Sequence, residues 1–297
     1  VSLILAAGAL PLLGTAVAQA AGPDPIGTIY VADFLNNAID IFAPGATGDV
    51  APERVIAGTN TGLSEPGDVK VTSTGEIYVA NYGGDSVTEY APGASGDATP
   101  VNTIVGTNTG FVNPDDMSLA PDGTLYVGND GAPVVDVFAP GATGNATPVR
   151  AISGSNTGFG DDIDGVGVDA AGTLFVADTD DNSIVVFSPG ANGNATPEYT
   201  IAGGSTGLEG PDDVIVGFDG KLYVSNHNLA GPGNSVEVFS PGATGDATPA
   251  QDITPSGVNY LDDLGLDASG NIYVTDFEGR QVPVFAATAT GSVSPIA

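Results

Sequence analysis

The chain has no cysteine and no tryptophan, a single histidine and a single methionine, and only five basic residues in 297. Without cysteine there is no disulfide framework, no thiolate zinc site and no cysteine nucleophile. One histidine, His227, cannot supply the paired imidazoles of a common zinc centre. The five basic residues (Arg54, Lys70, Arg150, Lys221 and Arg280) face 36 acids, for a formal charge of −31. Such a surface repels phosphate backbones and anionic lipid, which excludes nucleic-acid partners and disfavours membrane surfaces. Long apolar runs are missing as well. The one at the N-terminus is too short to span a bilayer and is interrupted by Pro11, so no membrane insertion is expected.

What is abundant is periodic. The chain contains 44 glycines and 22 prolines, and they recur at fixed places. The stretch 66–92, PGDVKVTSTGEIYVANYGGDSVTEYAP, is rewritten along the chain. Its Tyr78 returns as Tyr30, Tyr126, Phe175, Tyr223 and Tyr273, 48 to 50 residues apart. A second aromatic follows twelve residues later at Phe42, Tyr90, Phe138, Phe187 and Phe285, and Phe239 falls four residues beyond that rule. A period of this length made of short alternating segments marks a β-propeller or a solenoid.

Each repeat breaks into four strand-like pieces. In the second copy they cover 68–72, 76–81, 86–90 and 101–105, each rich in β-branched or aromatic residues and bounded by Gly, Pro, Asn or Asp. Three hairpin turns per repeat are more than a solenoid coil needs. Four short antiparallel strands make a propeller blade. Glycine at 75, 123, 172, 220 and 270 supplies the positive φ of the first turn. The APGATG loop recurs almost verbatim; no helix follows it and no lysine sits in it, so it reads as a rigid bend, not a phosphate cradle. The expected fold is all-β: a six-bladed propeller of four-stranded antiparallel blades.

The two ends are unusual. Residues 1–20 read as a bacterial-type secretory signal peptide, with an apolar region over 3–13 and the small-residue pattern Ala18-Gln19-Ala20 before a mature domain spanning 21–297. No cysteine follows that pattern, which excludes a lipid anchor. The expected location is therefore extracytoplasmic, in the periplasm or outside the cell. Counting back from Tyr30 lands inside this segment, so the first blade is expected to lack its innermost strand. At the other end, residues 286–297 reach only the start of an outermost strand. Ring closure is expected to be incomplete, leaving exposed strand edges.

The pattern Pro-x-x-apolar, a glycine turn, then [IL]-[YF]-V-A-[DN] resembles the NHL repeat, and IYVADFLNNAIDIF at 29–42 and LFVADTDDNSIVVF at 174–187 are its nearest copies. The resemblance covers residues 26–297. It implies a six-bladed propeller and leaves function open, because that superfamily includes scaffolds, receptors, lyases and calcium-dependent lactonases. The usual motif places glycine before the first apolar residue of the innermost strand. This chain has Asp68, Asp116, Asp213 and Asp263 there, and Gly165 preceded by Asp164 in the fourth copy.

Those aspartates are the candidate site. The first residues of innermost strands lie at the tunnel mouth, so carboxylates from several blades would meet near the axis. Two unit charges about 8 Å apart repel by roughly 2 kcal/mol at an effective dielectric of 20. The ring therefore calls for a cation, for raised pKa values or for backbone N–H donors. A hard, oxygen-liganded ion, Ca²⁺ ahead of Mg²⁺, suits it, with Asp68, Asp116, Asp164, Asp213 and Asp263 as ligands. The bland alternative is that each Asp caps a turn. The pattern also resembles gluconolactonase- and paraoxonase-type propellers, which implies an axial calcium and second carboxylates at Asp115, Asp212 and Asp262.

A further periodic set (Asp33, Asn81, Asn129, Asp178, Asn226 and Asp276) ends the second strand of every repeat and reads as structural, bonding local backbone. His227 lies in SNHNLAGPGN, where the fifth repeat carries a four-residue insertion; it is the one candidate general base. The near-identity of the repeats favours a monomeric, non-catalytic binding or scaffold module for a protein, glycan or small-molecule ligand. A calcium-dependent lactonase-like hydrolase using His227 is the alternative. Acidity as an adaptation to salt is a third reading.

Overall fold

The computed structural model of the chain describes residues 3–5 (backbone only), 23–227 and 234–297. Its strands group into six sheets, which we number as blades one to six in chain order. Blade two consists of Pro66–Val71, Ile77–Asn81, Ser86–Tyr90 and Asn102–Val105, hydrogen-bonded in that order. These bounds fall within two residues of those read from the repeat. The innermost strands of the other blades are Leu3–Leu5, Pro114–Leu119, Ile163–Val168, Pro211–Val216 and Leu261–Leu266. Each lies beside its two neighbours, so the six close a circuit around a tunnel. The six-bladed reading holds.

The hydrophobic core is divided into six parts, one between each pair of adjacent blades. Strands of an inner sheet are covered on both faces, so they bury nearly every residue; Leu174–Asp178 and Ser183–Phe187 are buried throughout. The second aromatic of the repeat fills these interfaces. Tyr90, Phe138, Phe187, Phe239 and Phe285 are all 0–1% exposed. The Tyr90 hydroxyl keeps a partner by donating to the Thr61 carbonyl at 2.6 Å.

The recurrent APGATG loop turns out to be a clasp between blades. The Gly96 N–H of blade two donates to the Val55 carbonyl of blade one (2.6 Å), and the Gly96 carbonyl accepts from Ala57 (2.9 Å). Gly144, Gly193 and Gly245 repeat both bonds at the next three blade junctions. These glycines have φ of 60–64°, which a residue with a Cβ rarely adopts. Under each clasp an isoleucine of the outermost strand plugs the core: Ile56, Ile104, Ile152, Ile201 and Ile253, none more than 3% exposed.

The seam departs from the expectation at one end and matches it at the other. Blade one does have an innermost strand. Leu3–Leu5, part of the segment read as a signal peptide, pairs antiparallel with the strand Ile29–Asp33, Leu3 opposite Val31 and Leu5 opposite Ile29. The vacancy there was inferred by counting a constant spacing backwards; in the structure residues 6–28 separate the two strands. The proposed cleavage pattern at 18–20 lies outside the described residues. Blade six has three strands, Leu261–Leu266, Ile272–Asp276 and Val284–Phe285. Beyond them Ile296 donates to the Val284 carbonyl (2.7 Å) and Val284 to that of Ala297 (2.9 Å), one step of a fourth strand. The blade six–blade one core is accordingly thin among the described residues: Ile29 and Val31 are its buried members, beside a groove of about 840 Å³.

If the clasped isoleucines are what lock blade to blade, Ile152→Ala should lower stability by about 2–5 kcal/mol. Val149→Ala, at an exposed position in the same loop, should change it by less than about 0.5 kcal/mol. Urea denaturation of both variants decides, and equal effects would rule out the plug.

Candidate functional site: two tiers of carboxylates at the tunnel mouth

The site starts from an irregularity that blades two to six share. In each, the innermost strand carries a β-bulge, with two residues facing one on the neighbouring strand: 67–68, 115–116, 164–165, 212–213 and 262–263. A bulge re-aims consecutive side chains that a regular strand would send to opposite faces. Pairs of adjacent aspartates can therefore both serve the tunnel, at different depths. The sequence reading treated Asp164 as a neighbour within one ring. The structure separates two tiers, and Asp164 belongs to the outer one.

The inner tier holds Asp68, Asp116, Asp213 and Asp263, all 6% exposed or less. Lys70 projects among them, its Nζ 2.9 Å from Asp68 and 3.1 Å from Asp116. The remaining bonds run between blades. Met117 N–H of blade three donates to Asp68 (3.1 Å), Val166 of blade four to Asp116 (2.6 Å), and Leu264 of blade six to Asp213 (2.9 Å). Three carboxylates thus stitch innermost strands together, blade two to three, three to four and five to six. Blade four breaks the pattern for a steric reason: a Cβ on Gly165 would stand 2.4 Å from the Asp212 carbonyl oxygen. One oxygen of Asp213 has no partner among the described residues.

Charge balance in this tier is incomplete. Burial pulls the Lys70 ammonium down, but the surrounding aspartates, Asp116 and Asp68 foremost, hold it well above its ordinary value. Burial pushes Asp116 and Asp263 well above the carboxylate range, opposed only in part by Lys70, and Asp213 up to about 6. One ammonium stands among four carboxyls, so Asp116, Asp213 and Asp263 hold protons more tightly than free carboxylates do. The position that the sequence offers to calcium is the one into which the chain sends its own cation. Oxygens of Asp68, Asp116 and Asp263 lie within 4.8 Å of one another, and Lys70 stands between two of the three.

The outer tier is Asp115, Asp164, Asp212 and Asp262. Blade two has Gly67 there, where a Cβ would meet an Asp115 oxygen at 2.3 Å. Around this tier stands a ring that the repeat hides. The residue after the periodic Asx of each blade occupies one equivalent position, yet it reads Phe34, Tyr82, Asp130, Thr179, His227 and Phe277. Contacts run continuously between blades. Phe34 lies 5.7 Å from Tyr82 and 6.4 Å from Phe277, centroid to centroid. Phe277 lies 5.9 Å from Tyr260, and Tyr260 stacks on His227 at 4.6 Å. His227 Nδ1 bonds Asp212, Thr179 donates to Asp164 at 2.8 Å, and Tyr82 donates to Asp130 at 2.7 Å. Oxygens of Asp130, Asp162 and Asp164 come within 4.8 Å of each other, as do ligand atoms of Asp164, Asp212 and His227.

The result is a mouth that is aromatic on the side of blades six, one and two, and acidic on the side of blades three, four and five. Burial, then the charges of Asp164, Asp262 and Asp212, push Asp115 well above the ordinary carboxylate range; Asp212 is raised likewise. Burial and the charge of Asp162 bring Asp164 up to about 7. Asp162 rises to about 6 through burial and its hydrogen bond with Asp130, and one of its oxygens has no partner among the described residues. Burial lowers the His227 imidazole in spite of Asp164, Asp262 and Asp162. This lowering favours the neutral imidazole. Residues 228–233 of its inserted loop lie outside the described residues.

The periodic Asx residues are structural, though not quite as expected. Asn81, Asn129, Asp178 and Asn226 reach back 17 or 18 residues to accept from Ser64, Val112, Gly160 and Glu209, tying the loop that enters each blade. Phe34, Tyr82, Asp130, Thr179, Phe277, Tyr260 and Asp162 were not singled out from sequence. The signal was there: between near-identical flanks, the position after each Asx hardly repeats.

The chain matches no protein-family model, that of the NHL repeat included, and no curated protein sequence. It is similar in structure to the WD40 β-propeller domain of Doa1 (12% identity, TM-score 0.58, 87% of this chain and 74% of that one). Virginiamycin B lyase from Staphylococcus aureus is another neighbour (10% identity, TM-score 0.57, 91% and 85%). A third is Kuenenia stuttgartiensis hydrazine synthase (17% identity, TM-score 0.54, 82% and 69%). At these identities the likeness shows the β-propeller fold alone.

Removing the inner-tier cation tests its role. Lys70→Met should cost about 3–5 kcal/mol at pH 7.5, as buried carboxylates lose their partner. The deficit should shrink at pH 5, where the raised carboxyls of Asp116, Asp213 and Asp263 carry protons. Denaturant unfolding at the two pH values reads both effects; an unchanged midpoint at pH 7.5 would show that the ammonium does not hold the ring.

Proposed function

We propose that this propeller is an extracytoplasmic, monomeric binding module without chemistry of its own, which holds a hard divalent cation in the acidic half of its mouth. The oxygens of Asp130, Asp162 and Asp164 would be the ligands. The observation that carries this reading is the unpartnered buried oxygen of Asp162 within that three-carboxylate cluster. None of the five lysines and arginines forms an ion pair there. An all-oxygen set suits Ca²⁺ or Mg²⁺. The bound ion would neutralise the cluster and fix the loops that display the six variable side chains. The leader-like composition of residues 1–20 supports export, with Leu3–Leu5 kept as the innermost strand of blade one.

The sign of the pH dependence follows from Asp162 and Asp164. Their native values, about 6 and about 7, lie above the ordinary 3.8, so the folded chain holds protons that the unfolded chain has released. That contribution to stability is complete below about pH 4 and is lost as pH rises through 6 to 7. In EDTA the melting temperature should therefore fall between pH 5 and pH 7.5. Calcium at 100 times its Kd should restore about 2.7 kcal/mol at the higher pH, and Asp162→Asn should abolish that gain. A melting curve indifferent to calcium at pH 7.5 would overturn the proposal.

A second reading, a lactonase-like hydrolase, is favoured by one observation. The neutral His227 imidazole is oriented by Asp212 and stacked on Tyr260, the arrangement of a positioned general base. It predicts lactone turnover in calcium that His227→Ala removes while the calcium-dependent gain in melting temperature persists. No turnover above the uncatalysed rate would eliminate it.

A further inference from the structure

Resting on the cation reading above, we infer that the mouth recognises an organic cation: an alkylammonium group whose charge meets the carboxylate arc and whose methyl or methylene groups lie on the aromatic arc. A metal ion would use oxygens alone. It gives no reason for blades six, one and two to carry Phe277, Phe34 and Tyr82 at the position where blades three, four and five carry Asp130, Thr179 and His227. A neutral apolar ligand fits no better, because it would cover Asp130, Asp162, Asp164 and Asp212 without neutralising their charge. A ligand with a cationic head and a hydrocarbon surface uses both halves.

Tyr260 is where the halves meet. Its ring stacks on His227 and tilts against Phe277, and burial together with the charges of Asp212, Asp262, Asp164 and Asp115 raises its hydroxyl pKa. The negative face of an aromatic ring beside several carboxylates attracts a weakly hydrated cation, as aromatic cages attract quaternary ammonium groups. At the opposite junction Tyr82 bonds Asp130, so the two halves meet at both ends of the arc. Phe34, Tyr82, Tyr260 and Phe277 are all half-buried, packed against one another with part of each ring left open.

Choline and its uncharged carbon isostere dimethylbutanol are the probes, titrated calorimetrically into the full-length protein in EDTA at pH 7.5. Choline should bind and the isostere should not. Phe34→Ala and Tyr260→Ala should each weaken choline roughly tenfold and leave calcium affinity unchanged, whereas Asp164→Asn should weaken both ligands. Should Phe34→Ala fail to fold, Phe34→Leu keeps the apolar volume without the π face and should show the same loss, with Phe34→Tyr restoring binding. Calcium binding without choline binding, or choline binding indifferent to both ring deletions, overturns this inference and leaves the metal reading standing. Failure of both ligands overturns the two together. A trimethyllysine peptide that binds more tightly than choline would assign the ammonium to a protein partner, and the reverse order to a small molecule.

Discussion

Carboxylates converging on a common axis are the constraint around which this molecule is arranged. Six short strands that close a circuit bring their leading residues together, and in five of them, blades two to six, the chain has aspartate in one or both of the tiers. In a partly desolvated tunnel such charges repel strongly. The inner tier meets the difficulty with what the fold already contains: backbone N–H groups of the next blade and a single ammonium from Lys70. Its carboxylates consequently become inter-blade bonds, joining blade two to three, three to four and five to six. Removing any one partner exposes the others to an uncompensated buried charge.

The outer tier has a weaker internal answer: Thr179 bonds Asp164 and His227 bonds Asp212, with no lysine or arginine paired to it among the described residues. Asp115, Asp164 and Asp212 keep raised proton affinities, one oxygen of the neighbouring Asp162 has no partner among the described residues, and the surrounding ring departs from the symmetry that governs the rest of the chain. Core positions repeat because every interface between blades poses the same packing problem: Tyr90, Phe138, Phe187, Phe239 and Phe285 each solve it with an aromatic. The clasp glycines and plugged isoleucines repeat for the same reason. The position after each Asx faces the mouth and solves no packing problem in common, which frees it to differ. Near-identity among repeats therefore does not by itself argue against a specific site. The variation that faces the mouth falls on one side chain per blade after the Asx.

A two-tier mouth would also separate stability from the proposed recognition. Lys70 and the inner aspartates hold strands together below the surface, while Asp130, Asp162, Asp164, His227 and the aromatic arc stand on turns above them. Changes in the upper ring can alter what is bound without loosening the circuit of inner strands. That division suits a scaffold whose loops carry function.

The sequence by itself determined the six blades, their strands to within about two residues in the second copy, the buried aromatics and the structural character of the Asx ring, because these are local patterns of alternation and turn chemistry copied six times. It also pointed to the aspartates at the head of the innermost strands. Only the tertiary structure decided that a bulge splits Asp115 from Asp116 and Asp212 from Asp213 into separate tiers, since register depends on the neighbouring strand. It alone placed Lys70, four residues or more from any partner but Asp68 in the chain, among carboxylates from three other blades. It alone showed that Phe34, Tyr82, Asp130, Thr179, His227 and Phe277, some 48 to 50 residues apart in sequence, share one ring. Contacts that exist only once a circle has closed leave no trace in any single repeat.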